Sequence, residues 1–100
     1  MLYIGTRNTS GDGTAIATAG ATERVRVRRI QLQLTESTGP VTVLLKLASM
    51  TIYQVLLANQ GDGVVFDLAG VTGALGADLY VNLSDAKAVA YVIDAAISTL

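Results

Sequence analysis

Clusters of turn-forming residues recur along the chain at 8–13, 20–22, 36–40, 59–63, 70–76 and 84–86. Most runs between them have strand length, and strands punctuated this regularly form a sandwich or a barrel. Val, Ile and Thr make up 28 of the 100 residues. Their branched Cβ atoms favour extended backbone and pack well on a pleated sheet. The Ala-rich segments 74–83 and 87–97 have helical composition, but Val89-Ala90-Tyr91-Val92-Ile93 does not match a helical stripe, so 88–94 reads as strand. A short helical turn near 72–77 fits the local composition. The expectation is an all-β, jelly-roll-like antiparallel β-sandwich of about eight strands. It comprises an arm or short edge strand at 1–13 and a single sandwich domain at 14–100.

Side-chain alternation sharpens this picture. In the run 24–35, Val25 and Val27 share one parity while Ile30, Leu32 and Leu34 share the other. An undisturbed strand cannot change parity. A β-bulge near Arg28-Arg29, or a bend between sheets, is therefore predicted. Gly39-Pro40 opens the next strand, with Val41, Val43, Leu45 and Leu47 inward. Val64, Phe66 and Leu68 read inward in a later strand, as do Leu79, Val81 and Leu83, then Val89, Tyr91 and Ile93. Weaker strands are expected at 2–4 and 14–19.

The segment 50–57 is apolar on both parities, which is read as cover on both faces, the second cover being a neighbouring subunit. Charge supports that reading. Only 15% of residues are charged, against roughly 25% in ordinary soluble domains. A small domain has much surface to cover, and here part of it is expected to lie against other chains. The candidate contact residues are Met50, Ile52, Tyr53, Val55, Leu57, Ile97 and Leu100.

Several chemistries are disfavoured. The chain has no Cys and no His, so it lacks thiolate ligands, the commonest general base and the commonest metal ligand. Its serines have no His to activate them. Gly11-Asp12-Gly13 and Gly61-Asp62-Gly63 each offer one carboxylate, too few for calcium, and read as turns. The Gly-rich loop 70–76 lacks the Lys of a phosphate loop. No enzyme activity and no cofactor are expected. The longest uncharged stretch, 47–61, is shorter than the roughly 20 apolar residues of a spanning helix and holds several polar residues. The first residues do not form a basic-then-apolar leader. No membrane association is expected.

Arg24, Arg26, Arg28 and Arg29 hold four of the seven basic residues. They read either as a solvated row paired with acids such as Asp67 or Asp94, or as an electrostatic contact with a partner. Net charge is −1 and aromatic platforms are few, so nucleic acid is not expected. Tyr80 beside Asn82 is the sole candidate for a sugar-binding face.

Arg24-Val25-Arg26-Val27-Arg28-Arg29-Ile30, the hairpin strand Val41-Thr42-Val43, and the closing pattern Gly76-Ala77-Asp78-Leu79-Tyr80-Val81-Asn82-Leu83-Ser84 with Val89-Ala90-Tyr91-Val92 resemble small virion proteins of tailed bacteriophages. Similar sequences often place Gly where this chain has Ala88 and Ala90. The resemblance implies a non-enzymatic capsid decoration (cement) protein, made in the host cytoplasm and located in the virion. Its implied partners are further copies of itself, as a homotrimer, and the major capsid protein. The alternative it leaves open is a tail or fibre module that binds host carbohydrate.

Overall fold

A computed structural model describes residues 1–99. Seven strands form two antiparallel sheets. In chain order they are β1 (Leu2–Arg7), β2 (Glu23–Leu34), β3 (Val41–Leu47), β4 (Met50–Leu57), β5 (Gly63–Thr72), β6 (Leu79–Leu83) and β7 (Val89–Thr99). One sheet runs β1-β7-β2-β5 and the other β4-β3-β6. This interleaving is that of a jelly roll. The eighth strand, expected at 14–19, is reduced to isolated bridges from Gly11 to Leu83 and from Ala17 to Leu79 along the β6 edge. Glycines at 11, 13 and 20 flank that segment, and the positive φ of Gly11 and Gly13 separates the Gly11 bridge from the Ala17 bridge. A continuous ladder cannot form through such backbone. The N-terminal stretch forms the longer edge strand β1, paired to β7 of its own chain.

The core fills the space between the sheets. Val25, Val27, Ile30, Leu32 and Leu34 of β2 face Val41, Val43, Leu45 and Leu47 of β3, and all are buried. Leu79, Val81, Leu83, Val89 and Ile93 complete the layer. No polar or charged side chain is buried among the described residues, so no core group needs a desolvated partner.

The parity break in β2 is a bulge. Val27 pairs with Ala95 and Arg29 with Asp94, so Arg28 is the extra residue against β7. Arg28 and Arg29 both point to solvent, and the inward set shifts by one from Val27 to Ile30. On the other side, β5 passes Arg28 with a wider irregularity at 68–70, where Ala69 and Gly70 adopt positive φ.

A second bulge lies in β4. Lys46 pairs with Thr51 and Leu45 with Tyr53, leaving Ile52 unpaired. The phase change explains why 50–57 reads apolar on both parities. Tyr53, Val55 and Leu57 lie on the core side, Ile52 also packs against the core, and Met50 and Leu56 are the exposed large apolar side chains. Leu57 is buried in its own chain, Ile52, Tyr53 and Val55 are partly buried against the core, and Met50, Thr51, Gln54 and Leu56 are exposed.

These bulges yield a prediction. Replacing Arg28→Ala leaves the core phase intact and changes stability by less than about 0.5 kcal/mol, as for an ordinary surface site. Deleting Arg28 puts Ile30, Leu32 and Leu34 on the solvent face or Val25 and Val27 out of the core. Urea unfolding with circular dichroism should show near-wild-type behaviour for the first variant and no cooperative fold for the second.

Candidate assembly surface

The carboxylates serve local structure. Asp62 accepts from the amides of Ala58 and Asn59 at 3.2 and 2.9 Å, closing the β4–β5 turn. Glu23, Glu36, Asp67, Asp78 and Asp85 each accept a backbone amide. Asp94 lies 3.6 Å from the Met1 amino group. Among the described residues, no three acidic, His or Cys side chains converge to hold a metal ion.

Asp12 forms a latch on the outer face of the smaller sheet. Its carboxylate accepts from Asn82 Nδ2 at 2.7 Å and from Lys46 Nζ at 3.0 Å. Arg7 holds the same loop from below, donating to Val81 O, to Thr9 and to Gly11 O. The Asn82 hydrogen bond first, and then the Lys46 ammonium, hold the Asp12 carboxyl below its usual range.

The four arginines share the outer face of the larger sheet. Arg24 is half-buried and donates to Gly73 O at 3.2 Å, while its Nε is buried without a partner. The Arg26 guanidinium covers Gly70 so closely that a Cβ there would collide with it. Arg29 stands between Asp67 and Asp94 in the strand register. None of these arginines comes within ion-pair distance of an acid among the described residues. A shallow depression of about 250 Å³ opens beside the bulge, lined by Leu2, Arg29, Gln31, Val92 and Asp94.

The contact residues expected from the sequence divide sharply. Met50 is exposed. Ile52, Tyr53, Val55 and Ile97 are partly buried against the core. Leu57 is 2% exposed and fills its own chain's core, so it is closed to a neighbour. Leu100 lies outside the described residues. The alternation across 50–57 conceals Leu56, which is 61% exposed. Val65 and Phe66 of β5 are also exposed, and Phe66 stacks on Tyr53 with ring centroids 4.8 Å apart. That stack closes the seam where the edges of the two sheets meet. Among the described residues, the other exposed large apolar side chains are Met1, Leu2, Ile4 and Leu75. Tyr80 is half-buried across from Lys46, and its neighbour Asn82 is engaged by Asp12.

No protein-family model and no curated protein matches the chain. Among solved structures, its fold is similar to a chain described under "Bacillus endospore appendages form a novel family of disulfide-linked pili". The match has a TM-score of 0.57 and 12% identity, and covers 100% of this chain and 86% of that one. At that identity the likeness is one of fold.

The Asp12 latch gives a pH prediction. A carboxyl held low in the folded state adds stability above its unfolded value near 3.8 and loses it as pH falls through the lower folded value. The Asp12 side chain is 41% exposed, so solvent screening keeps the effect small. Asp12→Asn should melt a few degrees below wild type at pH 7. The gap should close below about pH 4. Thermal melts across pH check this.

Proposed function

We propose that this chain is a non-enzymatic building block of a virion surface, a decoration protein that binds the phage head as an oligomer. The observation that carries the reading is the unfinished flank at β4 and β5. Two edge strands meet there, and Leu56, Val65 and Phe66 lie exposed along them, on a chain with only 15% charge. The irregularities at Ile52 and Ala69-Gly70 blunt these edges against further strand pairing, so the exposed apolar side chains are what mark a contact. The proposed partners are further copies in a homotrimer and the major capsid protein, with Met50 and Leu56 in the contact.

Two further points support a structural role. The fold neighbour forms part of an appendage described as a pilus, and jelly rolls recur in viral capsid proteins, although a fold alone does not fix a function. The described linkage of that pilus is by disulfides. This chain has no Cys, so its assembly rests on non-covalent burial. Binding to the assembled shell but not to loose subunits would stabilise the shell by linkage.

Two neighbouring substitutions test the reading. Leu56→Asp should keep the fold and weaken association with undecorated heads at least about tenfold, a difference of about 1.4 kcal/mol. Val55→Asp should destabilise the fold itself, because Val55 packs partly buried against the core opposite Val43 and an unpaired carboxylate there loses both packing and solvation. Co-sedimentation with heads and circular dichroism read the two effects. Unchanged head binding by Leu56→Asp contradicts the proposed contact.

A further inference from the structure

The sandwich protects its edges unequally. The β6 edge is bridged by Gly11 and Ala17. The β5 edge is broken by the positive-φ pair Ala69-Gly70, and β4 is bulged at Ile52. Bulges of this kind blunt an edge against further pairing. The strand β1 has none of these devices. Its six residues pair with β7 in unbroken register, and Leu2, Ile4 and Thr6 are exposed. Its one charged side chain, Arg7, is drawn away to Val81 O and Gly11 O.

The hydrogen-bonding phase of β1 is fixed. Met1 and Ala95 exchange backbone bonds of 3.0 and 3.1 Å. In an antiparallel ladder the exchanging pairs alternate along the strand. Tyr3, Gly5 and Arg7 therefore turn their backbone groups toward β7. Leu2, Ile4 and Thr6 turn theirs to the open edge, where no described residue meets them.

We infer that β1 pairs antiparallel with β1 of a second copy about a two-fold axis at Ile4, joining two four-stranded sheets into one. In this register Ile4 exchanges hydrogen bonds with Ile4 of the second copy, and Leu2 with Thr6 in both directions. Every outward donor and acceptor of the strand is satisfied. Shifting the register by one residue, so that even-numbered positions face odd-numbered ones, would leave them unmatched. On the outer face the exposed Ile4, beside Val92, meets its symmetry mate, and each exposed Leu2 lies opposite Thr6 and diagonal to Ile4 of the second copy. On the inner face Tyr3 comes opposite Gly5, over which the Tyr91 ring of the same chain lies. The contact is isologous and closed. A six-residue ladder is small for an interface, so the dimer is concentration-dependent. It is separate from the proposed β4–β5 contact, and its failure leaves that reading standing.

Single cysteines test the register directly, since the chain has none of its own. A directly opposed, hydrogen-bonded pair has Cα atoms about 5.5 Å apart, within disulfide reach. In a glutathione redox buffer, Ile4→Cys should form a covalent dimer at least about tenfold faster than Thr6→Cys alone, whose mate lies four residues away along the strand. A mixture of Leu2→Cys and Thr6→Cys chains should cross-link to each other. Ile4→Pro removes the edge N–H without touching the β7 ladder. By light scattering it should stay at 10.4 kDa at concentrations where wild type rises toward twice that mass. Equal cross-linking rates for Ile4→Cys and Thr6→Cys overturn the proposal, as does wild-type protein that stays monomeric at its solubility limit. Self-association unaffected by Ile4→Pro in a folded protein overturns it too.

Discussion

The fold depends on the phase of β2. This strand pairs with β7 on one side and β5 on the other, and its inward residues form the floor of the core. A strand has a period of two, so one extra residue exchanges its faces. The bulge at Arg28 makes that exchange inside the sheet and lets Val25 and Val27 share the core with Ile30, Leu32 and Leu34. It also forces neighbouring Arg28 and Arg29 to the same solvent face. The arginine row is thus a by-product of the core's geometry as well as a candidate contact. Asp67 and Asp94 flank Arg29 on both neighbouring strands in the register, without forming an ion pair with it.

Much of this was legible from residue type and spacing. Uninterrupted alternation in 41–47, 79–83 and 89–93 gave the strands and their buried faces, and the broken alternation at Arg28 gave the bulge. The same physical signal in β4 was harder to interpret. There Met50 and Ile52 share a parity opposite to Tyr53 and Val55, a pattern that suits either a strand covered on both faces or a bulged strand with one. The ladder with β3 decides for the bulge. Leu57 enters the chain's own core, Ile52, Tyr53 and Val55 pack partly buried against it, and Met50 and Leu56 are left exposed.

Other features lay beyond a sequence pattern. The Asp12 latch joins residues from three distant segments, and only the sheet order brings Lys46 and Asn82 beneath that loop. The Tyr53–Phe66 stack is likewise a product of two edge strands in different sheets meeting at one seam. Isolated bridges stand where an eighth strand was expected, and which edge they protect depends on topology.

Low charge, a wholly apolar core and unevenly guarded edges support the proposal that the domain completes its structure through neighbours. Amide hydrogen exchange across a dilution series tests that claim most directly. The account predicts slow exchange in β2 and β7 at every concentration, and protection that grows with concentration for the outward amides of β1 and the free edge of β4. Edge amides that exchange freely at all concentrations, alone and with undecorated heads, would contradict it.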